Sequence, residues 1–512
     1  MRSRYSTIVG LLTLLGLWQL AGQNGWVADG VLPAPSAILT QIFSDRAEYL
    51  PHVMATAKAA FLGFAAGNAI ALIVAMLVIR WPLVERWTAG INIAIFTVPP
   101  IAVVPVLLIV LDAQVERVVI AALMVYYTSL VSAILGMRQA DTRALDVVHA
   151  YGGGAWTALR LIRFRSGLPT MLAGLRIAAP NAVLGAILGE FGSGLRWGLG
   201  SFLLGSMGRA DPVRLWGIGL VATALAGFAY SIAWLLGVLF TRGATPATLA
   251  TGRSHMPVLQ TRMQHLFQLI GTVLLPFTAW WLLLDLARLS PIIAKTPAGV
   301  FEYLFTVSGA GDSRATLISA LAITMPHALY GLAVGILFAF ILAILGVLMP
   351  PLVRSLMPIA LVSQSMPLVA LTPLIVLLFG RGLTATLVIA ISVTFFPAFV
   401  TISEGLAQVP KIAFDVVRSY GAGPFRQLFS VAIPFSTPYI LAAARLAAPR
   451  ALLGVMIAEW LATGVGLGNL LNQSRGMLDY GMIWAVAFVS VAVATMFYAV
   501  VFTIESILLR RF

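Results

Sequence analysis

The chain is 512 residues long; only 10% of its residues are charged, whereas 60% are hydrophobic. Its mean hydropathy of +0.98 leaves too little polar surface for a soluble enzyme, a nucleic-acid-binding module or a disordered scaffold. The sequence has no Cys, which excludes disulfides and Cys-ligated metal centres, and its net charge is +14. This composition is typical of a polytopic membrane protein.

Twelve runs of the sequence are long and apolar enough to cross a membrane, which takes about 20 mostly apolar residues. In the first half they lie near 7–22, 55–79, 88–111, 118–136, 175–192 and 215–240. In the second half they lie near 266–286, 321–348, 355–379, 383–403, 440–462 and 481–507. We therefore predict an all-α membrane protein with about twelve transmembrane helices. The first run follows Arg2 and Arg4, so a signal peptide is its alternative interpretation.

The basic surplus separates by side when the N-terminus is placed in the cytoplasm and the spans alternate. The cytoplasmic side then carries 18 Lys and Arg against 6 Asp and Glu, and the outer side carries 11 against 10. Cytoplasmic loops of membrane proteins have such an excess of Lys and Arg. We therefore predict that both termini are cytoplasmic, and no nucleic acid is needed as a partner to explain the charge.

The sequence also contains an internal repeat. Residues 146–190 align with 415–459 without a gap at an offset of 269, with 18 identical residues in 45 positions. Because each half contains six spans, both halves enter the membrane in the same orientation, as parallel repeats do. We predict a first repeat over 1–240, a polar cytoplasmic linker over 241–265 and a second repeat over 266–512, with the shared path between the repeats.

Two cytoplasmic loops are the part most alike between the halves. They read DVVHAYGGGAWTALRLIRFRSGLP from position 146 and DVVRSYGAGPFRQLFSVAIPFSTP from position 415. Each is predicted to begin as a short helix, to break at a Gly cluster and to resume as an amphipathic helix, since Gly permits a sharp change of direction. Lipid-facing helices need only be apolar, so a polar loop kept alike in both halves indicates a surface for a partner.

These loops resemble the EAA motif of binding-protein-dependent ABC importer permeases, and we name them the coupling loops. The candidate coupling residues are Asp146, Tyr151, Gly152, Asp415, Tyr420, Gly421 and Pro434. In the first loop the terminal proline is replaced by Arg165, which puts that loop's docking geometry in question. We expect Asp415 to cap its helix, and we expect any side chain at Gly421 to clash or to force the loop open.

Other motifs resemble the nitrate, taurine and aliphatic-sulfonate subfamily of these permeases. They are LPAPS at 32–36, PLVALTP at 367–373, and Ala458-Glu459 followed by Gly466-Leu467-Gly468. The resemblance covers essentially the whole chain, twice. It implies a type I importer permease fold in a bacterial plasma (inner) membrane, with two six-helix repeats fused in one chain.

The resemblance further implies the partners and the substrate class. Two ATPase subunits would dock on the coupling loops, and a solute-binding protein would deliver a small anion or organic solute of the nitrate, sulfonate or taurine type. The chain would be no enzyme and hold no cofactor, because it has no G-x-x-x-x-G-K-[ST] phosphate loop and the partner would bind ATP. The alternative function is an ion-coupled secondary transporter with parallel repeats.

Charged residues and prolines inside the spans are the candidates for a pathway or gate, because buried charge is costly in a membrane and Pro kinks a helix. Glu190 and Glu459 either line the path or are satisfied by helix ends or water at the outer rim. Arg450, which replaces Asn181 of the first half, would suit an anionic substrate. The full set is Glu190, Glu459, Arg176, Arg445, Arg450, Pro99, Pro105, Pro367 and Pro373. Arg176 and Arg445 are alternatively anchors of the coupling loops.

The five His have no metal-ligand spacing, so no metal site is predicted.

Overall fold

The structure, a computed structural model, describes residues 2–27, 30–209, 211–241, 262–349 and 368–509. Every regular element in these ranges is a helix, which confirms the predicted all-α class. The first half contains α1 (Arg2–Gln23), α2 (Pro35–Ser44), α3 (Arg46–Arg80), α4 (Pro82–Thr97), α5 (Pro100–Val110), α6 (Ala113–Arg138), α7 (Thr142–Ala150), α8 (Ala155–Gly192), α9 (Leu199–Met207) and α10 (Pro212–Thr241). The second half contains α11 (Arg262–Ala287), α12 (Pro297–Phe305), α13 (Ala310–Leu348), α14 (Leu368–Phe379), α15 (Leu383–Ala407), α16 (Lys411–Ser419), α17 (Pro424–Thr463), α18 (Gly466–Gly476) and α19 (Tyr480–Leu509).

Eight helices in the described ranges are long and apolar enough to cross a membrane, or nine if the bent pair α4 and α5 forms one span. The eight are α3, α6, α8, α10, α13, α15, α17 and α19. Each contains one of the twelve predicted runs. The predicted runs at 7–22 and 266–286 lie within α1 and α11, which are helical along their lengths.

The third predicted run of each half departs from a simple span. The run at 88–111 divides into α4 and α5, which meet at an angle of 104°, as in a broken span or a re-entrant loop, so the predicted interruption of this run by its prolines is confirmed. The break falls at Val98 and Pro99, because Pro disfavours helical geometry in the residue before it and donates no N–H. The run at 355–379 starts outside the described residues and ends in α14.

Each half has a core of three long helices held close together by small residues. In the first half α6 lies between α3 and α8, and a Cβ on Gly185 of α8 would lie 2.7 Å from the Cα of Ala121 in α6. In the second half α15 lies between α13 and α17, and Gly454 faces Ala390 in the same way, at 3.2 Å. Small residues let backbones approach in a membrane, where van der Waals packing drives helix association.

The halves also exchange contacts through their third segments. Helices α4 and α5 pack against α19 of the second half, and α14 packs against α10 of the first. The hydroxyls of Thr97 and Thr495 lie 2.8 Å apart across this boundary, and the rings of Phe96 and Tyr498 lie 5.7 Å apart. The predicted linker at 241–265 lies almost entirely outside the described residues, so the boundary between the repeats stays a prediction.

Candidate functional sites: the coupling loops and the buried glutamates

The two coupling loops have the same backbone path. Helices α7 and α16 each end at a Tyr, and the next residue, Gly152 or Gly421, has a left-handed φ of +77° or +73°. Each Gly donates its N–H to a carbonyl of the helix that it ends, at 2.9 Å in both loops. The sequence-based prediction of a short helix, a break at Gly and a second helix is confirmed.

The missing proline of the first loop does not change this path. Both second helices begin with one α-helical turn and continue through a π-helical turn, at Leu159–Arg163 in α8 and Leu428–Ala432 in α17. Pro434 follows that turn in the second loop, and Arg165 occupies the same place in the first. Both loops therefore resume along the same backbone path, and the docking geometry of the first loop stays a prediction.

Each loop presents an apolar tip. The side chains of Tyr151 and Tyr420 are 89% and 84% exposed, and Val147 and Val416 on the preceding helices are exposed as well. Exposed aromatic residues at the turn of a polar loop contribute nothing to the core of the protein. A contiguous apolar patch of this kind typically marks an interaction site.

Two expectations about the second loop are wrong. They are that Asp415 caps its helix and that a side chain at Gly421 would clash with its surroundings. Asp415 lies in the middle of α16, 3.9 Å from Arg418, while Pro410 occupies the N-cap position. Asp146 likewise lies inside α7, whose N-cap Asp141 accepts a bond from the Arg143 N–H at 2.9 Å. A Cβ at Gly421 would meet open space, so a left-handed φ, and not a clash, is what requires Gly there.

Glu190 lies at the end of α8 that is far from the coupling loop, with its carboxylate turned toward the start of α9. Its Oε2 accepts the Gly200 N–H at 2.7 Å, and its Oε1 accepts the Thr56 hydroxyl, also at 2.7 Å. The Thr56 oxygen in turn accepts the Leu199 N–H at 2.8 Å. A helix N-terminus has free N–H groups that favour a negative charge, and Glu190 and Thr56 each accept one of them.

Glu459 makes the same arrangement in the second half. It accepts the Gly468 N–H at 3.0 Å and the Thr324 hydroxyl at 2.8 Å, and Thr324 accepts the Leu467 N–H at 2.9 Å. Gly198 and Gly466 open the two Gly-Leu-Gly motifs at a point where a Cβ would overlap the carboxylate. Each motif therefore makes room for the acid with its first Gly and binds it with its last.

These contacts decide between the two interpretations of the glutamates. Both are 1% exposed, and every hydrogen bond to either carboxylate comes, among the described residues, from its own half. Their surroundings favour a role in fixing a helix end, and a position on a path between the halves is not what the structure shows. The matching Thr56 and Thr324 were missed, although their offset of 268 could have revealed them.

The first half surrounds its glutamate with further polar side chains that the second half lacks. Arg117 Nη1 lies 3.7 Å from Glu190 Oε1, and His52 Nδ1 lies 2.8 Å from the Gly198 carbonyl oxygen. Glu116 is fully buried, and neither of its carboxylate oxygens has a hydrogen-bond partner among the described residues. At the aligned positions 320, 385 and 386 the second half has Ala, Ala and Thr.

Arg176 and Arg445 pack on the last long helix of their own half. Arg176 lies where a Cβ on Gly237 of α10 would meet its guanidinium, and Arg445 Nη1 lies 3.3 Å from Glu505 Oε2 of α19. Gly237 and Glu505 are themselves aligned at an offset of 268. These contacts hold each arginine against the last long helix of its own half, and its role as an anchor of the coupling loop or as a pathway residue stays a prediction.

The remaining pathway candidates are placed as follows. Pro99 caps α5 at the break, Pro105 lies inside α5, and Pro373 lies inside α14. Pro367 lies outside the described residues. Arg450 is half-buried within α17, a helix that contacts α5 of the other half. Pro99 and Pro105 therefore belong to α5 or its cap, Pro373 to α14 and Arg450 to α17, and each of these three helices contacts the other half.

Comparison with known proteins agrees with this architecture. Residues 331–512 match the family described as binding-protein-dependent transport system inner membrane component. A probable ABC transporter permease protein of Haemophilus influenzae is 26% identical over 242 residues, which are 47% of this chain and 94% of that protein. The taurine transport system permease protein TauC of Escherichia coli is 28% identical over 217 residues, 42% of this chain and 79% of TauC. The riboflavin transport system permease protein RibX of Chloroflexus aurantiacus is 32% identical over 158 residues, 31% of this chain and 59% of RibX.

Proposed function

We propose a function for this chain from the premise that it belongs to the permease subunits of binding-protein-dependent ABC importers. Its two halves together form one complete translocation pathway, so one chain takes the place of two. The observation that carries this proposal is the repeated coupling loop, with a left-handed Gly and an exposed Tyr in each half. Nearly the whole length of one relative matches less than half of this chain, which supports the same conclusion.

The coupling loops of this multi-pass membrane protein dock two ATPase subunits, one on each loop, and those subunits hydrolyse ATP. A solute-binding protein delivers substrate at the opposite face of a bacterial inner membrane. Both coupling loops and both termini are cytoplasmic on this proposal, and the bias of Lys and Arg toward that side supports it. The repeats extend over 1–240 and 266–512, with the linker between them.

The stoichiometry of the purified complex tests the fused pathway. The chain should co-purify with two ATPase subunits when all subunits are expressed together, and native mass spectrometry should find one copy of the chain. Uptake by the complex in liposomes should require ATP on the side of the membrane that carries the coupling loops. Two copies of the chain in one complex would contradict the proposal, as would uptake driven by an ion gradient without ATP.

The substrate proposed for the pathway is a small anion or organic solute of the nitrate, sulfonate or taurine type. Support comes from relatives named for the transport of taurine and of aliphatic sulfonates. Arg450 adds a positive charge to α17, a helix that contacts α5 of the first half, at the position where the first half has the neutral Asn181. Charge within a membrane span usually faces the interior or a cavity, where it marks an ion or substrate route.

Arg450→Asn, which copies the first half, tests the role of this charge. Uptake of an anionic substrate should fall about tenfold or more, as expected for the loss of one charged contact. Arg450→Lys keeps the charge and should retain most of the uptake. Equal uptake by the Asn variant and the unchanged chain, at equal amounts of protein in the membrane, would remove Arg450 from the pathway.

A further inference from the structure

A cavity of about 600 Å³ opens beside the first buried glutamate. It lies between the first turn of α6, the N-terminal half of α3 and the loop that joins α8 to α9. Its polar lining consists of Lys58, Gln114, Arg117, Arg196 and Trp197. The charge pattern of the loops assigns this end of the bundle to the outer face. Three cations thus surround one cavity at the end of the bundle opposite the coupling loops.

Two of these cations are free to bind a ligand. Lys58 and Arg196 are exposed, and in the described part of the chain no carboxylate lies within ion-pair distance of either. The Arg196 guanidinium lies 4.6 Å from the ring centroid of Trp197, which holds it at the rim of the cavity. An Arg fork and a Lys ammonium together are typical of sites for phosphate and other oxyanions.

The third cation, Arg117, is held in place by groups on the inner side. It is 6% exposed, pairs with Glu190 at 3.7 Å and donates to the Trp197 carbonyl oxygen at 3.3 Å. Gln114 accepts a further bond from it. Glu116, the other nearby acid, points toward α8, where a Cβ on Gly189 would lie 3.2 Å from its Oε1. The carboxylates of Glu190 and Glu116 therefore do not line the cavity, whereas Lys58 and Arg196 do.

The second half shows that the shared fold does not require these side chains. At the positions aligned with Lys58, Gln114 and Arg117 it has Pro326, Leu383 and Thr386. The positions aligned with Arg196 and Trp197 are occupied by Gly464 and Val465. The buried Glu and Thr that hold the short helix are nevertheless the same in both halves. The basic lining is therefore an addition to the first half, separate from the role of the glutamate in the fold.

We propose that this cavity binds one oxyanion, with Lys58 and Arg196 contacting it directly and Arg117 supplying positive charge from behind. The bound group is a phosphate or sulfate-like oxyanion, carried either by an anionic lipid or by a small soluble anion. The exposed ring of Trp197 at the mouth suits the membrane–water interface, where Trp is enriched. The site does not depend on which solute the transporter imports.

The test compares the unchanged chain with Lys58→Gln/Arg196→Gln, and uses Arg288→Gln/Lys295→Gln as a matched control. The control removes two cations from the second half, outside the cavity. Each protein is assayed in two ways: for phosphatidylglycerol that co-purifies from nanodiscs containing this lipid, and for sulfate binding in nanodiscs of phosphatidylcholine alone. We expect binding to weaken about tenfold for each cation removed, in the cavity variant and not in the control.

The two assays separate the possible sources of the oxyanion. Loss of retained phosphatidylglycerol only in the cavity variant identifies a lipid headgroup as the ligand. Loss of sulfate binding only in the cavity variant identifies a soluble anion. If the cavity variant and the control behave alike in both assays, the proposal is overturned. Unfolding temperatures measured for all three proteins in the same nanodiscs verify that each is folded.

Discussion

Glu190 and Glu459 accept the same bonds from a Thr hydroxyl and a Gly N–H, yet among the described residues only Glu190 has an Arg within 4 Å. The shared bonds fix the start of α9 and α18. The extra pair joins α6 to the end of α8, and it lies almost out of contact with water. Removing one partner of a buried pair leaves the other charge uncompensated, which costs more than the pair itself contributes.

We therefore predict that Glu190→Gln destabilises the chain more than Glu459→Gln. Gln keeps an oxygen that can accept the Gly and Thr bonds, so Glu459→Gln should cost about 1 kcal/mol, whereas Glu190→Gln should cost about 2 kcal/mol more because Arg117 loses its partner. Thermal unfolding in detergent measures both. In an Arg117→Gln background the difference between the two variants should disappear, and an equal effect in the native background would contradict the prediction.

At the scale of the element, one backbone angle sets the path of each coupling loop, the surface that we propose for docking the ATPase subunits. Both loops turn at a Gly with positive φ, directly after the exposed Tyr. A Cβ added at either glycine would have no neighbour within 4 Å. The loop conformation nevertheless excludes other residues, because a left-handed conformation costs an L-residue about 1–2 kcal/mol.

Gly421→Ala should consequently weaken coupling without disturbing the membrane helices. The strain should reduce the population of the docking conformation about 5- to 30-fold, and substrate-stimulated ATP hydrolysis should fall with it. Gly423→Ala is the matched control, because Gly423 has a φ of −70° and also faces open space. Equal ATP hydrolysis by the two variants would show that the left-handed turn is not needed for docking.

The sequence predicted the elements better than their contacts. The repeat revealed the loops, and Pro99 with Pro100 predicted an interruption where α4 and α5 separate. The hydrogen-bond partners of Glu190 could not be predicted from the sequence, because they include backbone N–H groups. Every residue except Pro has such a group, so no residue type marks the one that binds. The role of Gly421 was predicted for the wrong reason, since free space around a residue is visible only in three dimensions.

For the whole molecule, the main feature is that the halves interlock, which means that each half packs a segment against a helix of the other half. Helices α4 and α5 pack on α19, and α14 packs on α10, so each half completes its surface with a segment of the other. The contacts include the Thr97–Thr495 hydrogen bond and are noncovalent. Association of this kind depends on helix packing and does not require the linker to be intact.

A chain cut within 241–265 and co-expressed as two fragments should therefore assemble and transport. A tag on the first fragment should recover the second in about equal amount, because the interface between the halves is unchanged. The control is a cut after Gly194, which separates Glu190 from the Gly200 N–H that it binds and should recover much less partner. Failure of the linker-cut fragments to associate would show that the linker itself holds the halves together.

The interlocking of the halves has a consequence for biosynthesis. The ribosome finishes α5 at Val110 but does not begin α19 until Tyr480. At a translation rate of about 5–20 residues per second, roughly 20–70 s pass before α19 is available to pack on α4 and α5. During that interval the newly inserted first half exposes an incomplete face to the proteases that survey the membrane. Slower translation of the second half should lengthen this exposure and lower the yield of intact chain, even though no residue has changed.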